Sequence, residues 1–100
     1  IGKIHVAHVS KGKVIGLSKI NRLVQYYAIR PQVQERLTNQ ITDGLKKAIG
    51  TEDVAVLLDA VHLCVASRGI KDTNSSTITA NYSGKFINEG IKNEFLALVK

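Results

Sequence analysis

A histidine and the single cysteine of the chain stand two residues apart, and this pair is the first candidate for chemistry. Residues 53–65 are rich in Val, Leu and Ala, which predicts a well-buried strand. Alternation along a strand places His62 and Cys64 on one face. An imidazole and a thiolate on one face can bind zinc, or one can bind a metal while the other moves a proton. The alternative is a buried histidine beside an inert cysteine, because two groups do not complete a tetrahedral site.

Hydroxyl and basic residues form the second group of candidates. The pattern predicts an amphipathic helix over residues 18–30 with Ser18 as its N-cap, and with Lys19 and Arg22 near its start. Free amides at a helix start favour anions, so this arrangement could hold a phosphate chain. The alternative is a solvated basic face with a simple cap. Arg68 adds a cation beyond the strand of His62, or else it is an exposed loop arginine.

Gln34 and Glu35 are the third group, expected in the first turn of a second helix from Gln32 to about Ile49, directly after Pro31. The helix dipole stabilises a carboxylate there whatever else it does. A carboxylate can also accept two N–H donors from the edge of a guanine. Spacing alone leaves both interpretations open.

These candidates require strands and helices in one compact unit. The pattern predicts a single α+β domain over residues 1–100 with the order β-α-α-β-β-α. The strands are expected at residues 3–9, 53–65 and 76–82, and the helices at residues 18–30, 32–49 and 88–100, with a turn at 10–13 and a short connection at 14–17. The expected inward residues are Val33, Leu37, Ile41, Leu45 and Ala48 in the second helix, and Ile91, Phe95, Leu96 and Val99 in the last. His5 and His8 fall on opposite faces of the first strand and are interpreted as structural.

Composition narrows the class of partner. A net charge of +6 favours anions such as nucleotides or polyphosphates. Few aromatic residues and no dense Lys/Arg run weigh against nucleic-acid binding. No apolar run of membrane length and no signal peptide are visible, and a lone thiol suits a cytoplasmic protein. Because the chain begins at Ile1 and has no Met, we expect the native protein to start upstream.

Three runs of sequence together resemble GTP cyclohydrolase I. They are VIGLSKINR at 14–22, RPQVQERLT at 30–38, and AVHLC at 60–64 followed by SRGI at 67–70. The resemblance extends through the whole chain and covers about the C-terminal half of a typical family member. It implies the tunnelling fold, an antiparallel ββααββ unit, which agrees with the predicted order if one strand precedes Ile1. It also implies subunits that join their sheets into pentameric barrels, with two pentamers stacked into a homodecamer.

The resemblance further implies an activity, the conversion of GTP and water to 7,8-dihydroneopterin triphosphate and formate, the first step of tetrahydrofolate and pterin synthesis. It assigns the triphosphate to Ser18, Lys19, Arg22 and Arg68, the guanine to Gln34 and Glu35, proton transfer to His62, and zinc ligation to Cys64. Zinc would activate the water that attacks the imidazole ring of guanine.

The Cys-Glu-His-His motif of that family, which supplies the other zinc ligands, is absent from these 100 residues. The alternative is therefore a catalytically inactive tunnelling-fold piece that oligomerises or binds nucleotide without chemistry. A sister enzyme of the same fold, such as a pterin synthase or nitrile reductase, is disfavoured because those families lack the GLSKINR run.

Overall fold

The computed structural model describes residues 2–21, 31–64 and 73–99, with side chains at 2–18, 32–60 and 76–99. Its elements are strands β1 (Gly2–Ser10) and β2 (Lys13–Asn21), helix α1 (Pro31–Ile49), strands β3 (Val54–Cys64) and β4 (Thr73–Tyr82), a 3-10 turn (Gly84–Ile87) and helix α2 (Glu89–Val99). The strands form one antiparallel sheet in the order β2-β1-β3-β4. The predicted α+β class is confirmed, as are β3, β4, α1 and α2 to within a few residues.

The largest departure from the sequence prediction lies in β2. Residues 14–17 were expected to be a connection and Ser18 a helix N-cap, but all of them belong to one strand that pairs with β1 from Ser10↔Lys13 to Gly2↔Asn21. The two-residue link Lys11-Gly12 has φ values of 50° and 74°, the left-handed geometry that suits the twist of a tight hairpin. The helix interpretation is therefore wrong at residues 18–21, and its remainder, 22–30, lies outside the described residues.

Helix α1 covers β3 and β4 on the face that carries Val54, Val56, Leu58 and Ala60, all fully buried. Its predicted apolar stripe is only partly right. Leu37, Ile41 and Leu45 are half-buried, but Val33 and Ala48 are exposed. The row turned most fully inward is polar, and it consists of Gln34, Thr38 and Thr42. The reason lies in the surface beneath, where β4 presents Thr79, Asn81 and the carbonyl of Thr77 to the helix.

The opposite face of the sheet holds the aromatic core. Phe95 of α2 and Phe86 of the 3-10 turn pack against Ala7, Ala55 and Leu57, all buried. The Phe95 ring meets those of Phe86 and Tyr82 edge-on, with centroids 5.9 and 6.2 Å apart. The predicted inward positions of α2 are thus confirmed, with Ile91, Leu96 and Val99 partly buried around Phe95.

Neither α1 nor α2, the two α-helices of the described ranges, is long and apolar enough to cross a membrane.

Candidate functional site

The described candidate positions gather at one end of the sheet. β2 ends there with Ser18 and Lys19, β3 ends there with His62 and Cys64, and α1 begins there. The register ties these positions together, because Ser18 pairs with His5, which in turn pairs with Leu57 of β3. The hairpin turn, the end of α1 and Gly84 lie at the other end. A single sheet end therefore carries residues drawn from three distant parts of the sequence.

Glu35 is the exposed carboxylate of this end. It is the fifth residue of α1, and the first turn of the helix contains no acidic residue, so the expected first-turn placement is wrong by one position. Its side chain is exposed to solvent on a helix that is otherwise anchored to β3 and β4. Glu35 therefore remains available to a ligand approaching the start of α1.

Gln34 has the opposite environment, although it precedes Glu35 directly. Its side chain is fully buried, and the two protons of Nε2 are shared among three acceptors, Thr77 O at 2.7 Å and Leu58 O and Thr79 Oγ1 at 3.3 Å each. Within the described part of the chain, Oε1 is buried and accepts no hydrogen bond. The carboxamide thus joins α1 to two strands at once.

Ser18 lies on the other side of the sheet from α1. Its exposed side chain lines a cavity of about 220 Å³ with His5, Phe95 and Leu98. Within one chain, the structure therefore does not bring the Ser18 hydroxyl and the Glu35 carboxylate into a common pocket. Lys19 belongs to β2 by its backbone, while Arg22 and Arg68 lie outside the described residues.

His5 is the buried titratable group beside this cavity, with only 7% of its surface exposed. Burial lowers its pKa below the ordinary value of 6.5, the charge of Lys3 lowers it further, and the carboxylate of Asp59 partly opposes both. One oxygen of Asp59 is buried and has no hydrogen-bond partner among the described residues. His5 is thus held neutral at physiological pH.

The predicted metal ligand lies at the end of β3. Cys64 pairs with Thr73, and His62 pairs with Ser75, so both backbone positions are placed, but their side chains lie outside those described. No group of three His, Cys, Asp or Glu side chains that could hold a metal is found among the described residues. The described side chains alone therefore do not form a zinc site, which needs at least three protein ligands.

Two residues of this end were missed by sequence reasoning. Thr38 and Thr79 meet at 2.7 Å between their hydroxyl oxygens, beneath the start of α1. A signal was present, since Gln34, Thr38 and Thr42 recur every four residues and so share one helix face. A search for apolar residues alone does not find this row, because its members are polar.

Comparison with known proteins adds a family to this geometry. The family model for GTP cyclohydrolase I matches residues 1–100. The protein named GTP cyclohydrolase 1 from Flavobacterium johnsoniae is 63% identical over 100 residues, which is 100% of this chain and 45% of that relative. Those of Citrobacter koseri and Salmonella arizonae are each 53% identical over 100 residues, covering 99% of this chain and 45% of each relative. The chain spans about half the length of the curated relatives it matches.

Proposed function

Since the chain belongs to the GTP cyclohydrolase I family, we propose that it supplies the nucleotide-binding part of an enzyme that converts GTP and water to 7,8-dihydroneopterin triphosphate and formate. The main support for this proposal is the exposed Glu35 at the start of α1. It lies at the end of the sheet where β3 ends with His62 and Cys64. A recognition group and the positions proposed for chemistry thus share one end of the fold.

Glu35 is proposed to select the base. The edge of guanine presents the N1–H and the exocyclic amino group side by side, and one carboxylate can accept from both. Adenine presents an acceptor at N1, which a carboxylate repels. Glu35 therefore favours GTP over ATP by the pattern of donors rather than by the size of the base.

The triphosphate is proposed to lie with Ser18, Lys19, Arg22 and Arg68. The positive charges of Lys19, Arg22 and Arg68 suit a triphosphate, as does the net charge of +6 for the whole chain. The support no longer includes free amides of a helix start at Ser18, because that residue is in a strand. Basic side chains and a hydroxyl remain the basis of this assignment.

Zn²⁺ is the proposed metal, with Cys64 as its ligand from this chain and His62 as the proton-transfer group. One thiolate does not hold zinc in a closed site, so the remaining ligands have to come from residues outside those described. The chain alone thus contributes recognition and part of a metal site.

A homo-oligomer, by resemblance a decamer, is the proposed assembly. Ser18 and Glu35 lie on opposite faces of one sheet, so a pocket that contains both needs residues from a second copy. In the described sheet, β2 and β4 are the outer strands, and an outer strand can pair with a neighbouring chain. We propose a cytoplasmic location for this assembly.

Nucleotide binding provides the first test, by calorimetry with GTP and ATP. Glu35→Gln keeps the size of the side chain but places an amide donor against the donors of guanine. We expect its GTP affinity to fall about 10- to 100-fold, as for the loss of a bidentate contact, with no change in the free energy of unfolding. Glu94→Gln, on the exposed surface of α2, is the matched control and should bind GTP as wild type does. Equal affinity of the wild type for GTP and ATP would refute the recognition proposed for Glu35.

Turnover separates the enzyme from the second candidate, an inactive nucleotide-binding or assembly module. The observation that favours the module is that the described side chains include no group of three His, Cys, Asp or Glu that could hold a metal. These 100 residues would replace the matching part of the Flavobacterium johnsoniae relative. Formate and dihydroneopterin triphosphate would then be measured together with bound zinc. Activity with stoichiometric zinc supports the enzyme, whereas GTP binding without turnover in the zinc-loaded chimera supports the module.

A further inference from the structure

We propose that Gln34, Thr38 and Thr79 form a hydrogen-bonded ring that positions Glu35, so that Gln34 serves recognition through its neighbour rather than by touching the base. The inference rests on the proposed function, because it concerns how Glu35 reaches guanine. It assigns roles to Thr38 and Thr79, which lie outside the motif residues.

The orientation of the Gln34 amide is determined by its surroundings. Nε2 lies 2.7 Å from Thr77 O and 3.3 Å from Leu58 O, and a carbonyl can only accept. The reversed amide would set Oε1 against both carbonyl oxygens. Nitrogen therefore faces the strands, and Oε1 stays buried without a donor within the described residues.

The two hydroxyl protons then have a single consistent arrangement. Thr38 donates to the backbone carbonyl of Gln34 at 2.9 Å, which uses its only proton. The 2.7 Å contact between the two hydroxyls therefore requires Thr79 to donate to Thr38. Thr79 is left as an acceptor for Gln34 Nε2 at 3.3 Å. The bonds close a ring from the Gln34 side chain through Thr79 and Thr38 to the Gln34 backbone, and such chains of bonds reinforce one another.

The ring joins the start of α1 to the strands of the candidate site. Thr79 pairs with Leu58 and Thr77 with Ala60, so the Gln34 carboxamide contacts two alternate pairs of the β3–β4 register, with Asp59↔Ile78 between them. His62 follows Leu58 by four residues on the same strand. Any shift of α1 along the sheet would break three directed contacts of Gln34. The ring consequently fixes where Glu35 stands relative to the end of β3.

A stability role alone accounts poorly for this arrangement. A buried acceptor without a donor carries a desolvation cost that an apolar side chain of similar size would avoid. What the polar ring adds is direction, since hydrogen bonds define a register that apolar packing leaves loose. A residue that must place its neighbour needs this property.

Thr38→Val and Thr42→Val form the decisive pair of variants. Both threonines are buried on α1, and both hydroxyls donate to the carbonyl four residues earlier, at 2.9 and 2.8 Å. Only Thr38 also reaches a strand. Each substitution therefore removes one intrahelical bond of the same kind. Only Thr38→Val also removes a hydroxyl contact with β4.

The test measures GTP and inorganic tripolyphosphate binding to the assembled chain, together with amide exchange without ligand. We expect Thr38→Val to lower GTP affinity about tenfold, to leave tripolyphosphate affinity unchanged, and to speed exchange in the first turns of α1. Thr42→Val should stay within about twofold of wild type in both affinities. Thr79→Val, which opens the ring from the strand side, must reproduce the result of Thr38→Val.

Two outcomes would overturn these ideas, and they can be told apart. If wild type binds GTP but Thr38→Val and Thr42→Val change affinity and exchange equally, the ring has no positioning role. If wild type binds GTP no more tightly than it binds ATP and tripolyphosphate, the proposed function itself fails. The role of the ring then fails with it.

Discussion

The two helices attach to the sheet by different physical means. Helix α1 covers buried apolar residues of the sheet but adds directed polar contacts from Gln34, Thr38 and Asn39, whereas α2 is held by the apolar and aromatic packing of Phe95. Apolar packing contributes most of the free energy of folding and is not directional. Hydrogen bonds contribute less net stability but define geometry. The difference suggests that α2 stabilises the fold while α1 positions the candidate site.

Truncation of Phe95 tests the stabilising role of α2 and should have the largest effect. Phe95 is 1% exposed and contacts two other aromatic rings, so Phe95→Ala should cost about 3–5 kcal/mol of unfolding free energy. Urea denaturation measures this loss. The molecules that remain folded should keep their preference for GTP over tripolyphosphate.

Leu98→Ala on the same helix is the control for Phe95→Ala. Its side chain is 57% exposed, and the variant should lose under about 1 kcal/mol. If Phe95→Ala removed guanine selectivity without unfolding the protein, α2 would also position the candidate site. The different roles proposed for the two helices would then be wrong.

Gly84 tests the connection that leads into α2. It has a φ of 59°, and a Cβ there would clash with Asp53 Oδ1 and lie 2.7 Å from Glu52 O. Gly84→Ala should therefore cost about 2 kcal/mol, from backbone strain and from loss of the Asp53 contact with the Lys85 amide. Thermal denaturation reports the loss.

Gly12→Ala separates strain from crowding in that experiment. Gly12 has a φ of 74°, but nothing lies within 4 Å of the added carbon. This variant should lose about 1 kcal/mol from conformation alone. Equal losses for the two glycines would show that the Asp53 contact contributes nothing.

The pH dependence of His5 gives the smallest expected effect. The folded-state pKa lies below that of the unfolded chain, so the unfolded state binds more protons as the pH falls through 6.5. Stability contributed by neutral His5 is present above pH 6.5 and is lost progressively below it, until the folded state also protonates.

Melting temperatures between pH 8 and 5 measure this slope, and His5→Gln should flatten it. Lys3 and Asp59 are the charged groups that face His5 on the described part of the sheet. An unchanged slope in the variant would mean that other groups set the acid sensitivity.

The elements that sequence predicted well are those with an unambiguous period. Helix α1 has Pro31 at its start and Gly50 at its end, where φ is 77° and the amide bonds to Lys46 O at 2.9 Å. Strand β3 begins with five apolar residues, 54–58, and all five are buried. In these regions local preference and tertiary packing agree.

The sequence predictions that failed concern elements whose structure depends on contacts with other elements of the same chain. β2 contains Gly16 and three apolar residues before Ser18, and its extended form depends on pairing with β1 rather than on local propensity. The inward polar row of α1 depends on what β4 presents to it. The roles of His62, Cys64, Arg22 and Arg68 remain predictions, because spacing cannot place side chains that come from different segments.

The strand order also bears on how the chain folds. It sets two hairpins side by side, β1–β2 with a two-residue link and β3–β4 with a longer one, joined only where β1 meets β3 from Gly2↔Ala60 to His8↔Val54. The first hairpin can close within microseconds, whereas the seam between the hairpins joins residues separated by about half of the chain. Meeting at that seam is therefore the expected rate-limiting event. Mutations at Ala7 or Ala55, and at Gly12 in the hairpin that closes first, would therefore slow refolding more than they hasten unfolding.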